Sequence, residues 1–277
     1  PGILLAPGWS HNPTVAAALQ AKTEGINGNF DCVTYLDIST DPEEDGAEVY
    51  TDVKTAKEAL GATSPHAAAL WPMGAVGDKI YYLSAMFAAM TAYTDAGNSD
   101  VPYESPSNKD LKITATVLKD GTEILLDQQQ ANDLLNANGV ITAINANGYK
   151  AWGNNTAAYP STTDPKDRWL AVRRFFDWDG NNFILTYFQK ADKPGNTRLI
   201  QSIVDSQNII GNGYVARDYC AGYRTEFKSD ENPITNLLAG HLTTHTYLAP
   251  YIPAEYIENI REYDTKALEA ALTGGGE

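Results

Sequence analysis

The stretch LLNANGVITAINANGYKAWGNNT, residues 134–156, decides how this chain is interpreted, because it contains Asn-Ala-Asn-Gly twice. The first copy ends at Gly139, after a polar run with helical character, and glycine is typical of the residue that follows a helix. The second copy ends in Asn147-Gly148 between two apolar runs, which is the strongest short signal for a β-hairpin. We therefore predict a scaffold element, a helix followed by a hairpin, and not an active-site loop.

The end of this stretch carries Trp152, Gly153, Asn154 and Thr156. We expect Trp152 to pack at the end of the hairpin as an anchor, since a large aromatic ring with one polar atom suits a domain boundary. Polar residues at positions 154–156 are expected to bond local backbone groups.

Upstream of this stretch, apolar runs that resemble strands alternate with runs of helical periodicity. The predicted strands are GILLAP, FDCVTYLDI and HAAALWP, followed by a pair, LKITATVL and TEILL. The predicted helices are NPTVAAALQAKTEG, TDVKTAKEAL, KIYYLSAMFAAMTAYTDAG and QQQANDLLNAN. Strands that alternate with helices indicate parallel strands joined by crossovers, so the fold class is α/β, a mixed sheet flanked by helices.

Downstream, the polar segment AAYPSTTDPKD, residues 157–167, predicts a boundary between a domain at 1–156 and a smaller one at 165–277. The second domain reads as α+β. Its predicted helices are RWLAVRRFFDWDGNNFILTYFQKA, NTRLIQSIVDSQN, NPITNLL and KALEAAL. Its predicted strands are DYCAGYRTEF, HLTTHTYLAP and, after a linker, YIPAEYIENIREYD. Residues 273–277 are expected to be floppy.

Composition narrows the function classes. The 277 residues carry 35 acidic and 20 basic side chains, a formal charge of -15, so nucleic acid is not an expected partner. No apolar run reaches the roughly 18 residues of a membrane helix, so no membrane anchoring is expected.

Cys32 and Cys220 lie in apolar surroundings typical of buried free thiols. The chain begins with Pro1 and a strand, so we expect its natural beginning to be missing.

Three motifs suggest a cofactor or a metal but lack the required context. Residues 211–216 satisfy the dinucleotide pattern G-x-G-x-x-A, yet a helix precedes them and a strand follows, which favours a helix-to-strand turn. DWDGNN, residues 177–182, places its glycine too early for a calcium loop and favours a polar kink or cap in a helical region. His241 and His245 lie in a strand-like run without the glutamate of a zinc helix. We predict no cofactor and no metal.

Two alternatives to a structural role remain. The chain order Asp37, His66 and then Ser105 or Ser107 is that of a subtilisin-type serine hydrolase, although no glycine-flanked turn surrounds either serine. A module that binds small ligands or glycans through Trp152 and the neighbouring asparagines predicts a concave pocket beside that residue.

Several stretches, taken in order, resemble the tail sheath proteins of contractile bacteriophages and R-type bacteriocins. They are PGILLAPGWSHNPTVAAAL, ESPSNKDLKI, LLNANGVITAINANGYKAWGNNT, RWLAVRRFFDW and AGHLTTHTYLAPYIPAEYIENIREYD. The resemblance covers nearly the whole chain. It implies a subtilisin-like shape for residues 1–156, which explains the residue order above without proteolysis, and the sheath C-terminal domain after it. It also implies a further N-terminal segment before Pro1, on which assembly depends.

The resemblance implies a non-enzymatic function. Sheath subunits form stacked hexameric rings around a tail tube, and contraction drives the tube through the cell envelope for genome ejection. The implied partners are further copies of the chain, the tail tube protein, and the baseplate and tail terminator proteins. The implied location is the virion tail, after assembly in the host bacterial cytoplasm. The final strand would be an arm that joins a neighbour's sheet or pairs within its own domain, with Tyr256, Ile257, Ile260 and Tyr263 as its contact residues.

Overall fold

The computed structural model describes residues 2–274 and contains strands and helices throughout both halves of the chain. The strands of this part of the chain are β1 (Ile3–Leu5), β2 (Val33–Asp37), β3 (Ala67–Leu70), β4 (Met73–Val76), β5 (Lys79–Tyr81), β6 (Ala115–Val117), β7 (Val140–Asn145), β8 (Tyr149–Trp152), β9 (Cys220–Glu226) and β10 (His245–Pro250).

The helices differ widely in length. They are α1 (Pro13–Lys22), α2 (Val53–Leu60), α3 (Leu83–Gly97), α4 (Gln128–Gln130), α5 (Pro165–Arg168), α6 (Leu170–Tyr187), α7 (Thr197–Ala216), α8 (Ile234–Leu238) and α9 (Thr265–Leu272). Helix α4 continues as a π turn at Ala131–Leu135 and a 3-10 turn at Asn136–Asn138. Further 3-10 turns lie at Pro42–Glu44 and Phe188–Lys190.

The main sheet has five strands in the order β1-β2-β3-β7-β8. The first four are parallel, and β8 returns antiparallel to β7. All five residues of β2 are buried, as expected for a parallel strand that is covered on both faces. Helices α1 and α2 cover one face, and α3 and the first turn of α6 cover the other. The predicted α/β class, a mixed sheet flanked by helices, is confirmed.

Two smaller sheets lie beside the main one. Strands β5, β4 and β6 form an antiparallel sheet, and β9 pairs with β10 as a two-stranded antiparallel sheet. The hydrophobic cluster around Phe175, Cys220 and Tyr223 joins α6 to β9, with the partly buried Tyr214 of α7 packed against it. Both cysteines are free and buried, as predicted.

Caps and tight turns lie at the ends of several predicted elements. The side chain of Asn12 caps α1 by accepting hydrogen bonds from two backbone amides, and Pro13 is the first helical residue. Gly139 follows the last helical turn with φ of 69°, and Asn147-Gly148 turns the hairpin of β7 and β8. Helices α8 and α9 lie where they were predicted.

Three predictions of element type were wrong. Lys79–Tyr81 is a strand and not the start of a helix, because it pairs with the unpredicted strand Met73–Val76. The predicted pair LKITATVL and TEILL is reduced to β6 and one isolated bridge between Val117 and Glu123. Residues 251–264, the predicted final strand, contain no strand or helix. Residues 273–277 were expected to be floppy, and positions 275–277 of this segment lie outside the described residues.

Candidate inter-subunit surface

The segment from residue 251 to residue 264, which we call the arm, is exposed along most of its length and forms no β-ladder within residues 2–274. The four side chains that were predicted as contact residues are largely in solvent. Their exposed fractions are 81% for Tyr256, 85% for Ile257, 78% for Ile260 and 74% for Tyr263. Large apolar side chains that cluster on an exposed segment are typical of interaction surfaces, and the contact role of these four residues stays a prediction.

The two-stranded sheet of β9 and β10 has outer edges that no other strand in residues 2–274 covers. The outer edge of β9 is partly capped, since Asn208 of α7 donates to the Thr225 carbonyl and accepts from its amide, both at 2.9 Å. Strand β10 has no comparable cap within the described residues. Because a two-stranded sheet is marginal alone, β10 offers an edge to which a further strand would add stabilising hydrogen bonds.

A cavity lies beside the first residues of the arm, which follow directly after β10. This cavity of about 710 Å³ lies beside Trp152, and residues 251–256 line one side of it. Glu255 contacts the opposite side, accepting hydrogen bonds at 3.2 Å from Asn154 Nδ2 and from the guanidinium of Arg168. The pocket that the ligand-binding alternative predicts beside Trp152 is therefore present, but the chain's own arm lines it.

The predicted motif at residues 152–156 is built from several contacts. Trp152 is half-buried and its Nε1 donates to Asn132 Oδ1 at 2.7 Å. Gly153 has a φ of 136°, a backbone conformation that favours glycine, and a Cβ there would lie 3.2 Å from the Ile141 Cα, so a side chain at this position would be strained. Thr156 Oγ1 donates to the Asp167 carbonyl, as expected of a side chain that satisfies local backbone. The anchor role of Trp152 remains a prediction.

Asp37 and His66, two residues of the hydrolase alternative, have different partners and do not contact each other through a hydrogen bond in residues 2–274. Asp37 accepts hydrogen bonds from Ser10 Oγ at 2.9 Å and from Ser84 Oγ at 2.6 Å, and burial raises its pKa. His66 faces Asp177 at 3.2 Å. No hydrogen bond in the described chain joins Asp37 to His66, so these residues form no triad.

The two serines of that alternative, Ser105 and Ser107, line the cavity beside Trp152. Ser105 Oγ donates to Asn154 Oδ1, and Ser107 Oγ accepts from the Gly153 amide at 3.0 Å. Both hydroxyls therefore hold the motif in place, and neither is hydrogen-bonded to a histidine within residues 2–274. The structure gives no support to the hydrolase alternative, because each of its members is bonded to a different structural partner.

The remaining motifs also have structural positions. Gly211 and Gly213 lie inside α7, so the prediction of a helix-to-strand turn was wrong; the helix continues to Ala216. Residues 177–182 lie within α6, as the prediction of a helical region required, and Asp177 and Asp179 are buried there. His245 contacts Glu231 at 2.8 Å, whereas His241 precedes β10 in a loop.

Sequence reasoning missed Glu255 and Arg168. Arg168 and Glu255 are 87 positions apart, and nothing in the local pattern around either residue indicates the pairing. A usable signal existed only for Arg168, which is next to Trp169 and near Tyr159, because an arginine among aromatic residues is often held by stacking.

Comparisons with known proteins give one consistent result. The chain is 27% identical to the tail sheath protein of Burkholderia phage BcepMu over 259 residues, which cover 90% of this chain and 52% of the relative. It is 24% identical to the major tail sheath protein of Serratia phage KSP20 over 238 residues, covering 84% of this chain and 58% of the relative. The chain thus spans about half the length of these curated relatives. No protein-family model matches the chain.

The fold is also similar to solved sheath structures. The sheath complex of an extracellular contractile injection system, PVC, in its contracted state superposes with a TM-score of 0.76 at 20% sequence identity, covering 96% of this chain and 71% of that one. The resemblance to contractile tail sheath proteins is therefore confirmed. These comparisons give no support to a hydrolase or a ligand-binding module. Each described helix is too short or too polar to cross a lipid bilayer.

Proposed function

We propose that this chain is part of a structural subunit of a contractile tail sheath, without enzymatic activity. Subunits would stack as hexameric rings around a tail tube protein, between baseplate and tail terminator proteins, in the tail of a phage or related particle assembled in the bacterial cytoplasm. The observation that carries the proposal is the exposed, unpaired arm with its four apolar side chains. The similarity to tail sheath proteins along most of the chain supports the same function.

The arm would connect neighbouring subunits by strand addition. Pro250 and Pro253 restrict the backbone and favour an extended exit from β10. A strand added to an open edge gains main-chain hydrogen bonds, and alternate side chains then fill pockets on the neighbour. The outer edge of β10 in another copy is the most suitable acceptor, because Asn208 already caps part of the β9 edge.

Contraction would follow from rigid-body movement of connected subunits. Residues 1–156 would be the subtilisin-like domain and residues 165–277 the C-terminal domain that carries the connections. A lattice held in a metastable extended form can release energy when subunits rotate and bury new surface, so no catalysis is required. In this mechanism the arms keep subunits joined while the rest of each subunit moves to drive the tube through the envelope.

Electron microscopy of the purified protein, including any further N-terminal segment that its gene encodes, tests the proposal. We expect rings, tubes or polysheaths of regular diameter. A protein that stays monomeric at every concentration and ionic strength, alone and with its tube protein, would contradict the proposed function. Labelling with a fluorophosphonate probe addresses the enzymatic alternative, and stoichiometric modification of Ser105 or Ser107 would favour hydrolysis.

A further inference from the structure

The contact between Glu255 and the motif after Trp152 has the form of a carboxylate receptor. Two donors on the receptor side, the Nδ2 of Asn154 and the guanidinium of Arg168, each lie 3.2 Å from a different oxygen of the Glu255 carboxylate. Both oxygens are therefore bound at once. Hydrogen bonds with an ionised donor or acceptor are stronger than those between neutral groups.

The receptor is held in place before the carboxylate arrives. The Arg168 guanidinium lies over the rings of Tyr159 and Trp169, 4.4 Å and 4.1 Å from their centroids. Its Nε donates to the buried Asn155 at 3.0 Å, and its backbone carbonyl accepts from the Thr156 amide at 2.7 Å. Its rotamer is thus fixed by neighbours that do not include the arm, so binding a carboxylate costs little ordering of this side chain.

The second donor is fixed in the same way. Asn154 Oδ1 accepts from Ser105 Oγ, which leaves the Nδ2 group directed at Glu255. The Asn154 backbone carbonyl accepts from the Leu170 amide at 2.9 Å. The chain at 154–156 and the chain at 168–170 are therefore bonded to each other at both receptor residues, and the receptor behaves as one rigid unit.

We propose that Arg168 and Asn154 form a built carboxylate-binding site that anchors the arm of the same chain through Glu255. The site divides the C-terminal segment in two. Residues 251–255 are held as a strap across the cavity beside Trp152, and residues 256–264 remain free to leave the surface. Glu255 is then the point from which the free part of the arm pivots.

The anchor limits where a neighbour can be placed, a consequence that rests on the proposed function. Residues 256–264 can extend at most about 30 Å, since an extended residue spans about 3.3 to 3.6 Å. A sheet edge that accepts this part of the arm must therefore begin within that distance of Glu255. Without the anchor, the whole segment from the end of β10 would be free, and the reach would be longer and less directed.

Pulsed electron paramagnetic resonance on the unassembled protein in dilute solution tests the anchor. Spin labels are placed on Lys22→Cys, on the exposed end of α1, and on Ile257→Cys, two residues beyond Glu255. The native Cys32 and Cys220 are buried, so we expect them to react slowly with the label. We expect a narrow distance distribution in this labelled parent, because position 257 can lie no more than about 7 Å from the anchored Glu255.

Two substitutions on opposite sides of the contact should each release the arm. Glu255→Gln removes the charge of the ligand, and Asn154→Asp places a second negative charge in the receptor while it keeps the acceptor for Ser105. We expect each to raise the undocked fraction about two- to fivefold, since the pair is partly exposed. Glu258→Gln is the matched control, because Glu258 has no hydrogen bond or ion pair within residues 2–274, and it should leave the distribution unchanged.

A broad distribution in the parent, or a distribution unchanged by either Glu255→Gln or Asn154→Asp, would overturn the anchor. Circular dichroism of each variant identifies any loss of fold, and a variant that is misfolded is replaced by Glu255→Ala. Because this measurement needs no assembly, its failure leaves the proposed sheath function standing. Conversely, a protein that forms no sheath can still show the anchor.

Discussion

Gly211 of α7 lies directly against the ring of Tyr223 on β9. A Cβ added at residue 211 would overlap the Cγ and Cδ1 atoms of that ring, so the helix reaches the strand only because this position has no side chain. Tyr223 is buried, and its hydroxyl donates to Asp179 of α6 and accepts from Gln207 of α7. This one close approach therefore joins two helices to the small sheet that carries the arm.

Gly211→Ala should destabilise the protein by about 1 to 3 kcal/mol, because either the ring or the helix must move to admit a methyl group. Gly213→Ala is the control on the same helix. Nothing lies within 4 Å of a Cβ at residue 213, so alanine should be neutral or stabilise by roughly 0.5 to 1 kcal/mol through helix propensity. Urea unfolding of both variants checks this. Equal effects at the two positions would show that the approach to Tyr223 is not what requires glycine.

The two glycines also show where sequence reasoning fails. The pattern Gly-x-Gly predicted the end of a helix, because glycine is a poor helix former, yet packing against Tyr223 outweighs a propensity of about 1 kcal/mol. Lys79–Tyr81 was missed for the same kind of reason, since pairing with β4 determines its conformation. By contrast, Gly139 and Asn147-Gly148 were predicted correctly, because helix ends and tight turns depend on backbone angles within a few residues.

In the candidate site, too, features that depend on contacts between distant residues could not be predicted from the sequence. The apolar residues of the arm were named because the resemblance to sheath proteins implies an inter-subunit arm there, although the segment itself was predicted as a strand. The pairing of Glu255 with Arg168 could not be predicted, because two charged residues separated by 87 positions carry no mutual signal in a single sequence. Their meeting depends on how β10 places the arm beside the hairpin of β7 and β8.

Arg174 and Asp95 form a buried ion pair between α6 and α3. Arg174 is fully buried, and its NH1 lies 3.1 Å from Asp95 Oδ1, with a second contact between NH2 and Oδ2. Asp95→Ala should cost about 3 to 5 kcal/mol, because it leaves a buried guanidinium without a counter-charge. Thermal and urea unfolding measure the loss.

The double variant Asp95→Ala with Arg174→Met separates the charge from the packing. It removes the unpaired guanidinium charge and keeps an apolar side chain of similar length, so it should recover most of the free energy of unfolding that Asp95→Ala loses. If the double variant is as unstable as Asp95→Ala alone, the cost arises from lost contacts and not from an unpaired buried charge.

Asp179 should make stability depend on pH. Burial raises the pKa of this carboxyl from 3.8 to about 6, although the Tyr223 hydroxyl donates to it. The folded state therefore binds a proton that the unfolded state has lost. The stabilisation is fully present below pH 3.8 and is lost as the pH rises to about 6.

Asp179→Asn should remove this dependence. The variant should gain stability relative to the parent as the pH rises from 4 to 6, and the gain above pH 6 should be on the order of 2 to 3 kcal/mol. Urea unfolding at several pH values gives the two profiles. Profiles that stay parallel across this window would mean that Asp179 is ionised in the folded protein with an ordinary pKa.

Trp152 should prove to be an anchor of the hairpin end. Trp152→Ala should destabilise the protein by about 2 to 3 kcal/mol, because it removes a half-buried ring and leaves Asn132 without its donor. Trp152→Phe keeps most of the ring and should cost about 1 kcal/mol for the lost hydrogen bond. Unfolding by urea checks both variants. If Trp152→Ala is as stable as the parent, the residue contributes to a surface and not to the scaffold.

The free part of the arm should be required for assembly but not for folding. Ile257→Asp with Ile260→Asp places two charges on side chains that are 85% and 78% exposed, so the free energy of unfolding should change by no more than about 0.5 kcal/mol. In the sheath, the same charges would have to be buried against a neighbour, and tubes or rings should be lost. Urea unfolding of the monomer and electron microscopy at a matched concentration measure the two effects separately.

Glu258→Lys with Glu262→Lys is the control for the arm, because it changes charge in the same segment and leaves the four apolar side chains intact. Assembly should persist in this variant, with a changed dependence on salt concentration. If both double variants abolish assembly, the charge of the arm and not its apolar surface determines the contact. If neither does, subunits are joined through another part of the molecule, and strand addition by the arm is wrong.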